Sequence, residues 1–302
     1  MEKKTRRNFM KTLGASVGAA GVLSGGSILS ACNRVEEVSG NKITLLTSSG
    51  ELVVVDRAQL KPAEIPSLSE NQLRGRKGLP GRSWVMVIDL SKCRNARECM
   101  KACQSHHQLR PEQHHINVLQ MQDSEDTAPY FMPKPCQHCD NPPCTKVCPV
   151  NATFKREDGI VLIDNERCIG CRFCIAACPY SARVFNWNEP RDAEKYEGVT
   201  YNMEANVPQK KGTISKCLFS ADRLRDGQLP SCVSACPNGV YWFGDRNEDA
   251  VTNGTTKETV SFSNLVKDGA AYTLMKELGT KPRVYYLPAK GQDASPIEGD
   301  HI

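Results

Sequence analysis

The sequence predicts an α+β chain of two lobes, one inserted in the other, with an arm at each end. Three observations carry this reading. Fourteen of the 15 cysteines fall into four groups between Cys93 and Cys236. Three groups end in Cys-Pro followed by a short β-rich run, Cys148-Pro149 to Phe154, Cys178-Pro179 to Phe185 and Cys236-Pro237 to Phe243, which marks an internal repeat. The two middle groups are complete and pair with each other, which leaves the first and last as partners around them.

Composition sets the bounds. The chain has 302 residues, 39% hydrophobic and 24% charged, as globular proteins do, and no confident membrane-spanning run. A net charge of +5 is too small to argue for nucleic acid. An odd cysteine count leaves one over from any intramolecular disulfide framework.

The first element is an address. Thr5-Arg6-Arg7-Asn8-Phe9-Met10-Lys11 resembles a twin-arginine export signal, and Leu13 to Leu29 is too short and glycine-diluted for a spanning helix. Leu29-Ser30-Ala31-Cys32 resembles a lipobox, which implies cleavage before Cys32 and lipid on its sulfur. An uncleaved anchor is the bland alternative. The twin-arginine route carries folded proteins, so the signal is indirect evidence for a cofactor inserted before export. The expected location is the periplasmic side of the cytoplasmic membrane, held by the lipid. Residues 1–31 hold five basic side chains and one acidic, so the remainder carries 34 against 33, near +1.

Residues 33–82 hold no cysteine. Ile43 to Thr47 and Leu52 to Asp56 flank Ser48-Ser49-Gly50 and read as a hairpin. Pro62, Pro66, Gly75, Gly78, Pro80 and Gly81 read as a linker arm. Trp84 to Asp89 is a buried-type strand. The outer lobe is expected over 83–128 and 213–245, the inner lobe over 129–190 and a connecting insertion over 191–212. Within the inner lobe, Asp158-Gly159 between Ala152–Glu157 and Ile160–Asp164 signals a hairpin. A C-terminal arm over 246–302 is polar to about residue 262, helical from Asn264 to Leu278 and extended from Arg283 to Pro288.

Group three, Cys168, Cys171, Cys174 and Cys178, is Cys-x2-Cys-x2-Cys-x3-Cys-Pro, the bacterial ferredoxin run that holds a [4Fe–4S] cluster. A tight loop sets three thiolates around one cubane, and Gly170 is expected to let the backbone approach it. The fourth cysteine points away and ligates the neighbouring cluster. Group two, Cys136, Cys139, Cys144 and Cys148, varies the spacing. Cluster one therefore takes Cys136, Cys139, Cys144 and Cys178, and cluster two takes Cys168, Cys171, Cys174 and Cys148. Zinc would not explain a third cysteine at the same short interval, and cysteines so close in sequence are poor disulfide partners.

Group one, Cys93, Cys99 and Cys103, has Ala96 where the second cysteine belongs; group four, Cys217, Cys232 and Cys236, has Ser220 there. Cluster three would use Cys93, Cys99 and Cys236, and cluster four Cys217, Cys232 and Cys103. Each set suffices for a [3Fe–4S] cluster. A [4Fe–4S] cluster would need a recruited ligand such as Ser220, His106 or His107. Empty scaffolding is the third possibility, and a polar helix end is the plain reading of the two histidines.

Pro-Cys-x2-Cys-x2-Pro-Pro-Cys at 135–144, Cys-Ile-Gly-Cys-Arg-Phe-Cys at 168–174 and Leu-Pro-Ser-Cys-Val-Ser-Ala-Cys-Pro at 229–237 resemble the iron–sulfur subunit of complex iron–sulfur molybdoenzymes, as does Leu278 to Pro288. These are the electron-transfer subunits of DMSO, polysulfide, tetrathionate and nitrite respiratory systems. The resemblance covers 84–288. It implies two ferredoxin-like dicluster lobes forming an electron wire. One end faces a molybdopterin-type catalytic subunit, the other a quinone-reactive membrane subunit or a multihaem cytochrome c. No substrate chemistry is expected in this chain, since no Walker loop, dinucleotide fingerprint or nucleophile elbow is present. A stand-alone lipid-tethered ferredoxin and a structural adaptor with an empty outer lobe are the competing readings.

Overall fold

The computed structural model describes residues 42–46, 51–56, 58 and 68–289. The export signal, the lipobox and Cys32 lie outside them. Contacts divide the chain into residues 1–67 and 68–302. In the first unit, β1 (Lys42–Leu46) and β2 (Leu52–Asp56) pair antiparallel from Lys42↔Asp56 to Leu46↔Leu52, the hairpin expected there.

The second unit opens with a helix where a linker was expected. In α1 (Glu70–Lys77), Ser69 accepts from the backbone N–H of Gln72 while the Gln72 side chain accepts from that of Ser69. This reciprocal cap satisfies two otherwise orphaned donors, and Gly75 is tolerated because Met203 packs where its side chain would be. Gly78, with φ of 82°, then ends the helix.

The organising strand is β3 (Trp84–Asp89), with Val85, Met86, Val87 and Ile88 fully buried. Side chains alternate across a strand, so its two faces serve two cores. Met86 and Ile88 join the cysteine-bearing core; Val85 and Val87 pack with Trp242, Val251, Phe262 and Leu287. A strand covered on both faces reads as a continuous apolar run.

Beyond β3 come α2 (Glu98–His106), β4 (Asn117–Met121), β5 (Tyr130–Lys134), α3 (Pro143–Lys146), β6 (Thr153–Lys155) and β7 (Val161–Ile163). Then follow α4 (Phe173–Ala176), β8 (Arg183–Phe185), β9 (Ile214–Lys216), α5 (Ala221–Arg225) and α6 (Ser231–Ala235). The chain continues through β10 (Tyr241–Asp245), β11 (Ala250–Asn253), β12 (Thr259–Ser261), α7 (Phe262–Asp268) and β13 (Val284–Leu287). The sheet order is β12-β11-β10-β3-β13, with β13 parallel to β3 and the other pairs antiparallel.

Several expected boundaries therefore move. Much of the expected C-terminal arm is sheet: β11, β12 and β13 are all strands of it. The helix expected over Asn264 to Leu278 stops at Asp268, where Gly269 caps it. Hairpin β4–β5 straddles the expected 128/129 boundary, and β9 pairs with β8 rather than standing with residues 217–245. The Asp158-Gly159 hairpin forms as β6–β7, with Thr153↔Ile163 and Lys155↔Val161 opposed. No helix among the described residues is long and apolar enough to cross a membrane.

Candidate metal centre

Each cysteine group opens on the same backbone turn. The residue before the second ligand position is left-handed in all four: Asn95 (φ 56°), His138 (43°), Gly170 (69°) and Phe219 (54°). For a residue with a side chain this costs on the order of 1 kcal/mol. Groups one and four keep the turn although Ala96 and Ser220 follow it. Gly170 has a more specific reason than closeness to a cofactor. A Cβ there would stand 2.0 Å from the Gly212 carbonyl oxygen.

The complete groups converge as expected from their spacing. α3 packs against α4. Cys148, Cys168, Cys171 and Cys174 line one cavity with Ile169, Gly170 and Arg172. The Ala152 N–H donates to Cys148 Sγ at 3.2 Å. In the other set, burial pushes the Cys139 thiol up to about 12, and the nearby Cys136, Cys144 and Cys178 add to the rise. Thiols of this kind bind iron only by surrendering their protons.

Arg183 stands between the sets. It is buried and donates to Thr153 Oγ1 at 2.7 Å. Burial opposes its charge, yet Cys144, Cys174 and Cys136 hold its pKa above the ordinary arginine value. Sequence reasoning did not single it out, because a lone arginine on a short strand carries no motif.

The segment before β13 clamps the group-two loop. Asp140 N–H donates to Lys281 O at 2.8 Å, Asn141 N–H to Thr280 O at 2.9 Å, and Arg283 N–H to Gln137 O at 2.9 Å. The Arg283 guanidinium reaches Asp140 Oδ1 at 2.5 Å and Ser83 Oγ at 3.0 Å. Lys155 Nζ meets the same Asp140 oxygen at 2.8 Å.

The incomplete groups also converge, through α2 packed on α6. Cys93, Cys99 and Cys236 line one cavity with Ala96 and Tyr241. Cys103, Cys217 and Cys232 are buried together. Burial pushes Cys103 and Cys232 well above the usual thiol range, with Cys217 the next contributor to each. Two candidate fourth ligands are engaged elsewhere. Ser220 Oγ accepts from Ser231 N–H at 3.2 Å, and His106 Nε2 lies 2.9 Å from Asp222 Oδ2. His107 is buried and donates from Nδ1 to the Ala205 carbonyl at 2.7 Å.

The complete and incomplete sets adjoin in one buried core. His138 of group two stacks on Phe219 of group four, centroids 3.8 Å apart. Burial pushes the Cys217 thiol up to about 11, and the nearby Cys136 adds to the rise.

Paired four-thiol sets on ferredoxin-type turns, within mixed helices and sheets, define an iron–sulfur protein of the dicluster class. The description "4Fe-4S dicluster domain" belongs to the family model that matches residues 127–196. A selenate reductase subunit of Mesobacillus selenatarsenatis is 37% identical, over 94% of this chain and 98% of that protein. A tetrathionate reductase subunit of Salmonella typhimurium is 32% identical, over 85% and 90%. The iron–sulfur cluster-binding subunit of menaquinone reductase from Nitratidesulfovibrio vulgaris is 36% identical, over 68% and 88%. The chain belongs to this family of iron–sulfur subunits of respiratory reductases.

Proposed function

We propose that this chain relays electrons between a quinone-side partner and a molybdopterin-type catalytic subunit, through two [4Fe–4S] clusters held by groups two and three. The observation that carries the reading is the convergence of those groups, with Cys148, Cys168, Cys171 and Cys174 around one cavity and Cys136, Cys139, Cys144 and Cys178 within electrostatic reach of one another. The clusters supply one-electron chemistry when bound. The protein holds their thiolates and sets nearby charge through Arg183. Groups one and four form the enclosing outer lobe around this inner one.

Cluster two sits at the surface. Cys171 is exposed, and so are its apolar neighbours Ile169, Phe173 and Trp187. This rim supports docking of a redox partner, either the membrane quinone subunit or a multihaem cytochrome c. The chain acts at the periplasmic face, exported folded and held by lipid on Cys32. The twin-arginine and lipobox motifs support that placement.

Redox titration of the complex, followed by low-temperature EPR and iron analysis, tests the relay. Two inner-lobe cubanes alone give about eight iron atoms per chain, two further three-iron clusters about 14, and four cubanes about 16. Inner-lobe signals that a quinol analogue reduces and the catalytic subunit's oxidant reoxidises support the relay. Signals that neither partner can move would end it.

A further inference from the structure

The outer lobe carries a ligand set that the ferredoxin pattern does not contain. Cys103 and His107 lie one helical turn apart, at the end of α2 and on its C-terminal cap, so both present to the same side. His115 returns to them after a turn that Gln104 holds shut, its amide donating to Pro111 O and Gln113 O, both at 3.0 Å. The ligand atoms of Cys103, His107 and His115 lie within 4.8 Å of one another, and all three residues are at most 5% exposed.

Two details point to an occupant. Both ring nitrogens of His115 are buried without a hydrogen-bond partner, an arrangement costly for an imidazole with no ligand. His107 Nδ1 must carry its proton to donate to the Ala205 carbonyl, which leaves the lone pair on Nε2. This is the outer support that metal-bound histidines use.

We propose that Cys103, His107 and His115 bind a single borderline-soft divalent cation, of which zinc is the type. Ligand atoms on one tetrahedral zinc stand about 3.3–3.7 Å apart, so modest contraction completes the set. Ligands on different irons of a cubane stand farther apart, and three cannot converge this closely. The ion would pin the outer lobe where Ser220 has removed a cluster ligand. This site is independent of the inner-lobe relay.

Metal analysis of the full, iron-loaded chain tests it. The expected result is about one zinc beside the inner-lobe iron. His115→Asn and Cys103→Ser should each lose that zinc and keep the inner-lobe iron and its EPR signals. His106→Asn should keep it, since His106 is paired with Asp222. Replacement by Co²⁺ should give thiolate-to-metal charge-transfer absorption that Cys103→Ser weakens. If His115→Asn fails to fold, His115→Cys, which retains a ligand, must still bind Co²⁺ with stronger charge transfer. Loss of iron instead of zinc in His115→Asn would make the imidazole a cluster ligand and overturn the single-ion site. A wild-type chain that binds neither zinc nor Co²⁺ overturns it as well. Failure of the relay would show separately, in the inner-lobe EPR.

Discussion

Arg183 shows how much one side chain can set. A buried positive charge beside Cys144 and Cys174 stabilises the reduced, more negative state of a cluster held there. Arg183→Met should lower the potential of at least one inner-lobe cluster by tens of millivolts, on the order of 1 kcal/mol, with iron content unchanged. Unshifted midpoints in EPR-monitored titration would remove that role. The thiols make a second prediction, with opposite signs for the two forms of the protein. Burial pushes Cys99 and Cys217 up to about 11 and Cys139 up to about 12, from an ordinary 9.0. The metal-free fold keeps this protonated-thiol stability fully below pH 9 and loses it as pH climbs toward 11. Its urea midpoint should therefore fall between about pH 9 and 11. Iron loading releases those protons, so reconstitution should instead weaken as pH falls. The cysteine groups were legible in the sequence because their spacing is local. Arg183, His115 and Asp140 were not, because each acts on groups that only folding brings near.

At the scale of elements, the cluster loops depend on what lies behind them. Gly170→Ala places a methyl group against the Gly212 carbonyl and strains a φ of 69°. It should remove cluster two, about four iron atoms, while cluster one persists. Iron analysis with EPR spin counting reads this directly. The β6–β7 turn is held by buried charge. Arg156 reaches Asp158 at 2.5 Å and Glu204 at 2.7 Å, and Glu204 also takes Arg225 at 2.6 Å. Glu204→Ala strands the buried Arg156 guanidinium with a single partner and should destabilise the fold by about 3 kcal/mol in denaturant melts. Both hairpins were legible, since β-rich runs flanking a turn are a local signal. The α1 helix was hidden by its own composition. Gly75 and the surrounding charges read as linker, yet the reciprocal Ser69–Gln72 cap and burial against Met203 hold it. The stretch from Asn264 to Leu278 failed in the other direction, because Gly269 caps the helix after seven residues.

For the whole molecule, the exposed rim around Cys171 is the place where a partner is expected. Ile169→Glu or Phe173→Glu should weaken co-purification with the redox partner several-fold without loss of iron, and unchanged association would move the docking face elsewhere. The tail shows why the architecture differs from lobes with simple arms. β13 enters the sheet beside β3, and the residues just before it clamp the group-two loop through Asp140 and Asn141. The sequence by itself determined the four cysteine groups and the family, because cysteine spacing within each group is a local pattern. Only the tertiary structure decided how those sets adjoin, that the tail is sheet, and that His107 and His115 meet Cys103. Those facts depend on strand pairing and burial between residues far apart in the chain, which no local pattern encodes.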